Sequence, residues 1–186
     1  FQALCFDLFA PTARRLGEWW IEDRITFTDV TIGLCRLQQL VHELSDRYAP
    51  RDPGPEAPSL LLAVPPGEQH VFGLTLMAEV FRQGGWRVTV VSDGTAGELI
   101  ELVRQERFAA LGLSLTDERF YQPTLKLVSK LRAASANPSI ALMVGGRAFV
   151  EAPERVTEIG ADLFAATAQE ALAAADSMIR QAATLP

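Results

Sequence analysis

The sequence predicts an α/β protein: a five-stranded parallel sheet with helices on both faces, preceded by a separate helical region. Two observations predict it. From Ser59 onward, strand-like and helix-like segments alternate five times. That alternation calls for parallel strands joined by right-handed crossovers. Before it, residues 49–58 read APRDPGPEAP, with four prolines and a glycine in ten positions. Such a stretch sustains neither helix nor strand, so it reads as a linker. The expected organisation is a helical region over 1–48, the linker over 49–58 and the α/β region over 59–186.

In the first region Leu4, Leu8, Ala13 and Leu16 share a helical face, and Gly17 is expected to loosen or end that helix. From Thr26 to Tyr48 the stripe is cleaner, with Val30, Leu34, Leu37, Leu40, Val41 and Leu44 on one side. Thr26 is a candidate N-cap with Asp29 three positions on, a variant of the capping box. A helical hairpin or small bundle is the expectation. In the second region the strands are Ser59–Val64, Trp86–Val91, Ala109–Ser114, Ile140–Val144 and Ala161–Ala165. The helices are Val71–Gln83, Ala96–Glu106, Tyr121–Ala134, a short Pro153–Ile159, and Gln169–Ala182. Ligands of open parallel sheets bind beyond the carboxyl ends of the strands, where strand order reverses. The loops at 65–70, 92–95, 115–120 and 145–150 are therefore where a site is expected.

Composition narrows the function classes. The chain has 186 residues, is 48% hydrophobic and carries a formal charge of −6. Phe1 in place of an initiator Met reads as the start of a piece of a longer protein. Binding to a nucleic-acid backbone normally shows as a basic patch, and no run of Lys and Arg is present. Any link to DNA is expected to pass through another protein. The two cysteines, Cys5 and Cys35, form no CxxC pair and are expected to be buried core thiols in a reducing cytosol. No segment approaches the ~20 apolar residues that span a bilayer, and no signal peptide opens the chain. The expectation is a cytoplasmic protein with no membrane partner.

The loop after the first strand, PPGEQHVFG, carries the chemistry. His70 sits at the carboxyl end of that strand, and neutral imidazole is a good donor to cobalt or iron. Glu68, two residues earlier, is placed to bond the far ring nitrogen or to lie at the surface. Ser114 ends the third strand, as a pocket residue or a simple turn cap. Gly145 and Gly146 follow the fourth, as bare backbone for a bulky ligand or as a tight turn. His42 and Cys35 are weaker candidates for a second ligand. No P-loop, GxGxxG after the first strand, Ser-His-Asp set or defined carboxylate pair is found, so the chain is not read as a catalyst.

The order of these residues is more specific than any one of them. Glu68-x-His70-x-x-Gly73 is followed after 40 residues by Ser114-Leu115-Thr116, and after 28 more by Gly145-Gly146. This pattern resembles the cobalamin-binding domain of methionine synthase, corrinoid proteins and cobalamin photoreceptors. The resemblance covers residues 59–182. It implies that His70 is the lower axial ligand of the metal, supported by Glu68. It places Ser114 and Thr116 at the nucleotide tail and Gly145 and Gly146 at its groove, and counts Gly73 of the ligand loop among the cofactor-binding residues. It also makes 1–48 a helical cap, with Trp19 and Trp20 offering an aromatic plane. Cobalamin photoreceptors carry W-x9-EH in the cap. Here that spacing reaches Val30 and Thr31 from Trp20, or Asp29 and Val30 from Trp19, so the upper histidine is missing.

LFAPTARRLGEWWIEDRITFTDVTIGLCRLQ is similar, more narrowly, to the bacterial anti-repressor family that includes AppA, PpaA and AerR. The resemblance is strongest to the module that follows a flavin blue-light domain and is described as holding heme instead of cobalamin. It implies a tetrapyrrole sensor, with heme first and cobalamin second. The implied partner is a transcriptional repressor of photosynthesis genes, with a flavin light-sensing domain elsewhere in the full-length chain. A corrinoid carrier for methyl transfer and a cofactor-free interaction module are the alternatives.

Overall fold

The computed structural model describes residues 1–48 and 53–184. They belong to two compact units, Phe1–Arg51 and Asp52–Pro186. Residues 49–52 of the expected linker lie outside the described residues. Its remainder holds a turn, with Gly54 at φ +79° and the Ala57 N–H donating to Gly54 O (3.3 Å).

The first unit is a helical hairpin. Helix α1 (Gln2–Leu4) runs through a π-helical turn at Cys5–Phe9 into α2 (Ala10–Ile21), and α3 (Phe27–Arg47) follows. Gly17 does not end the helix as expected. Helix α2 ends after Ile21, where Asp23 turns left-handed at φ 54°. The Asp23 N–H then donates to Trp20 O (3.0 Å) and the Arg24 N–H to Trp19 O (2.8 Å), a Schellman closure with aspartate in place of glycine. The box at Thr26 is fully formed, with Thr26 Oγ accepting from Asp29 N and the Asp29 carboxylate accepting from Thr26 N. Helices α2 and α3 pack together. Gly33 lets the helices approach closely, since a Cβ there would lie 2.8 Å from Leu16 Cδ1 and push that side chain aside. Cys5 is buried as expected. Cys35 is exposed instead, because it lies off the stripe that buries Val30, Leu37 and Val41.

The second unit is the predicted sheet. Strands β1 (Ser59–Ala63), β2 (Arg87–Val91), β3 (Ala110–Ser114), β4 (Ala141–Gly145) and β5 (Leu163–Phe164) are parallel, in the order β2-β1-β3-β4-β5. The connecting helices are α4 (Phe72–Gln83), α5 (Ala96–Gln105), α6 (Tyr121–Ala134), α7 (Arg147–Val150), α8 (Glu154–Glu158) and α9 (Ala168–Thr184). The strands are short apolar runs because both faces are covered. Leu61, Ala63, Leu111, Leu113, Leu142 and Val144 face the layer of α5 and α6. Leu60, Leu62, Val64, Ala110, Ala141 and Met143 face the layer of α4 and α9. Period-two alternation thus divides one continuous apolar run between two cores.

Strand order reverses between β1 and β3. The chain leaves β1 through α4 toward β2 on one side, then returns through α5 to β3 on the other. The loops after β1 and β3 therefore lead to helices on opposite faces of the sheet, leaving a gap at the carboxyl edge, and this positions the site. No described helix is long and apolar enough to cross a membrane.

Trp86 locks the α4–α9 layer. It is 2% exposed, meets Phe81 edge-on at 5.3 Å, and its Nε1–H donates to Asp176 Oδ1 on α9 (2.8 Å). A charge-assisted bond and a filled core position are lost together in Trp86→Phe. Urea unfolding is expected to show a loss of about 2 kcal/mol; an unchanged midpoint would mean the indole bond contributes nothing.

Candidate cofactor-binding site

The loop from Pro65 to His70 leaves β1 at the strand-order reversal. Gly67 turns it at φ +89°, and the chain enters α4 directly after Val71. Glu68 points inward, with its side chain only 1% exposed, while the His70 side chain is 62% exposed. The surface alternative for Glu68 is thus excluded. His70 Nδ1 and Glu68 Oε1 are 2.5 Å apart.

The carboxylate is held from two directions. Oε1 accepts the backbone N–H groups of Gln69 (2.9 Å) and His70 (3.0 Å). Oε2 accepts those of Thr116 and Asp117 (both 2.9 Å), from the loop after β3. Burial pushes the carboxyl pKa up. The bonds from Asp117 N–H, the His70 ring, Thr116 N–H and His70 N–H outweigh burial and set it at about 2, against an ordinary 4.5. An ionised carboxylate only accepts, so His70 Nδ1 carries the proton in this bond. In the neutral ring Nε2 then keeps its lone pair, which is the tautomer a metal ligand needs.

Beside this loop a crevice of about 340 Å³, counting its open mouth, enters the sheet edge. Gly73, Leu74 and Met77 of α4 form one wall, and the ends of β1, β3 and β4 form the floor and the other wall. Ser114 lines it, and among the described residues its hydroxyl has no hydrogen-bond partner. An apolar slot with one available hydroxyl suits a flat, mostly apolar ring bearing a polar edge.

The three candidate glycines act differently. A Cβ on Gly73 would meet nothing within 4 Å, so this glycine leaves open space at the crevice wall. A Cβ on Gly145 would lie 3.1 Å from Ala165 O, and one on Gly146 would lie 2.4 Å from Leu115 O. Gly146 is also left-handed, at φ +96°. Gly145 and Gly146 thus line the crevice through their backbone, and Gly146 is required by the close approach of the β4 turn to Leu115. Thr116 contributes its N–H to Glu68 and does not line the crevice.

Trp20 lies in the other unit. It is 47% exposed and stands edge-on to Phe27 at 6.0 Å. Trp19 lies between the guanidinium groups of Arg15 and Arg24, at 5.4 and 5.1 Å. The sequence reading missed Leu62, Met77, Gly112 and Met143 as crevice residues. Nothing but strand and helix periodicity marks them.

Because the folded-state value of Glu68 lies below its ordinary one, folding stabilises its ionised form. That contribution, on the order of 3 kcal/mol, is complete above about pH 4.5 and is lost as pH falls through about 2. Glu68→Gln is expected to flatten this part of the stability profile, measured by urea unfolding between pH 2 and 6. Parallel acid limbs in the two proteins would refute the assignment. Gly73→Ala is expected to raise stability by about 0.5 kcal/mol through helix propensity, and Gly146→Ala to lower it by at least about 2 kcal/mol. Thermal unfolding of the pair checks this, and a destabilised Gly73→Ala would mean the space at that wall is not open.

A protein encoded in the bchF-crtJ intergenic region of Rhodobacter capsulatus is 32% identical over 152 residues, covering 81% of this chain and 79% of its own. The HTH-type transcriptional repressor CarA of Myxococcus xanthus is 27% identical over 187 residues; this chain spans 60% of its length, and all of this chain is covered. The monomethylamine corrinoid protein of Methanosarcina barkeri superposes with a TM-score of 0.76 at 18% identity, over 91% of this chain and 80% of that one, which shows the shared fold. Residues 58–176 match the B12 binding domain, and the chain belongs to that family.

Proposed function

We propose that the chain binds a cobalamin through His70 and acts as the sensor module of a transcriptional anti-repressor. The observation that carries this is the pairing of two features at one sheet edge. A histidine with its Nδ1 proton held by Glu68 stands beside an apolar crevice that opens at Gly73 and carries the Ser114 hydroxyl. Among the described residues no group of three or more His, Cys, Asp or Glu could hold a bare metal ion. A metal carried within a macrocycle would need few donors from the protein, and His70 would supply one.

The roles of the chain's residues follow. His70 Nε2 donates to the metal, and Glu68 fixes the ring's tautomer and orientation. The crevice takes the nucleotide tail, with Ser114 bonding its polar edge and Gly73 leaving room for its ring. When bound, the group supplies a metal whose ligation and redox state can change, which is what a sensor reads. Family membership favours cobalamin, the second of the two tetrapyrroles expected from the sequence, and the relatives lend heme no support. Regulation is favoured by the likeness to CarA and to the bchF-crtJ relative. The partner is a repressor protein of photosynthesis genes, and DNA is reached through that repressor, consistent with a net charge of −6. The module is not itself an enzyme. Switching requires that the ligand prefer one conformation, since a ligand shifts an equilibrium only by differential affinity.

Corrinoid carriage for methyl transfer is the second reading, favoured by the same B12-binding family and the same fold. The deciding experiment is an absorption titration with hydroxocobalamin, methylcobalamin and hemin, in the dark and in light, on the wild type, His70→Ala and Gly73→Leu. The expected result is a histidine-ligated cobalamin spectrum that His70→Ala abolishes, with binding weakened at least about tenfold. Gly73→Leu is expected to stay folded and lose affinity. A Soret shift with hemin that depends on His70 would restore heme. No specific change with any ligand would leave a cofactor-free interaction module.

A further inference from the structure

We propose that Phe120 is a positioning residue for metal ligation at His70, acting as a latch that holds the ligand loop to the body of the sheet domain. This rests on the reading of His70 given above. The ligand loop, 65–70, and the loop after β3, 116–120, are far apart in sequence. They meet at two points. One is polar, where Glu68 Oε2 accepts from the Thr116 and Asp117 N–H groups. The other is apolar, where the Phe120 ring lies against Gly67. A Cβ on Gly67 would stand 3.0 Å from Phe120 Cε1 and 3.3 Å from Cζ.

Phe120 is itself well anchored. Its ring packs against the α5–α6 core layer. Its N–H donates to Asp117 O (3.1 Å), and its carbonyl accepts from Thr124 Oγ1 (2.6 Å), a fully buried side chain. Arg119 covers the ring at 4.8 Å and pairs with Asp117 at 2.8 Å. The ring thus links a rigid core to the glycine turn that sets the direction of residues 68–70. Glu68 fixes the imidazole and makes the polar tie to residues 116–117, and Phe120 adds the apolar hold on the turn at Gly67. A donor on a loosely held loop must be ordered on binding, which weakens affinity.

Three variants test this: Phe120→Ala removes the ring, Phe120→Tyr keeps it, and Gly67→Ala pushes a methyl into it at φ +89°. Far-UV circular dichroism and thermal unfolding establish that each is folded. In the ligand-free protein, amide exchange at Gln69, His70, Thr116 and Asp117 is expected to rise about tenfold in Phe120→Ala and to stay near wild type in Phe120→Tyr. Hydroxocobalamin is expected to bind about tenfold more weakly to Phe120→Ala and Gly67→Ala, with a smaller histidine-ligated fraction. A folded Phe120→Ala with wild-type exchange and a wild-type histidine-ligated spectrum would overturn the latch and leave the proposed function intact. If the wild type itself shows no ligation by His70, the proposed function falls. The latch's role in ligation falls with it, and the exchange data then report a purely structural contact.

Discussion

Glu68 carries a full negative charge inside the protein, and the partners that keep it charged belong to two different loops. Burial alone would neutralise such a group, because a carboxylate out of water loses most of its solvation. Four backbone N–H groups and one imidazole N–H replace that solvation. The arrangement does three things at once. It satisfies backbone donors that would otherwise be stranded at a loop crossing, it sets the tautomer of His70, and it joins the ends of β1 and β3 where the sheet parts. Removing the charge would weaken these bonds together, and the two loops would lose their shared anchor.

The sheet makes that convergence possible. Register aligns Ala63 of β1 with Leu113 of β3, so both strands end at one level and their loops start side by side. Divergence of the crossovers on either side of β1 keeps helices from covering this edge. The crevice is the remaining gap, bounded by α4 on one wall and by bare backbone at Gly145 and Gly146 on the other. Here the fold supplies the cavity, and a few side chains supply its chemistry.

Much of this was legible in the sequence. Continuous apolar runs such as SLLLA and ALMVG give buried parallel strands, and Thr26 with Asp29 caps α3 by local chemistry alone. Glu68, His70, Gly73, Ser114 and the paired glycines were legible as a spaced pattern. Their individual jobs were less so. Gly146 serves the turn against Leu115 and Gly73 the open wall, a difference that depends on where each absent Cβ would point. Thr116 acts through its backbone, which no side-chain identity reveals. Gly17 was misleading because helix α2 tolerates it in open space, and Cys35 because an apolar helical context does not say which face a residue takes. The contact of Phe120 with Gly67 joins residues more than fifty positions apart and leaves no local trace.

The two oxygens of Glu68 divide their duties: one serves its own loop and the other serves the loop after β3. Aspartate is one methylene shorter, so it would satisfy the near loop and fall short of the far one. The residue at this position and the backbone course of 116–117 therefore form a single structural unit. Anyone grafting this ligand motif onto another sheet of the same fold must transplant both loops together, because the His70 segment alone would arrive with half of its carboxylate unbound.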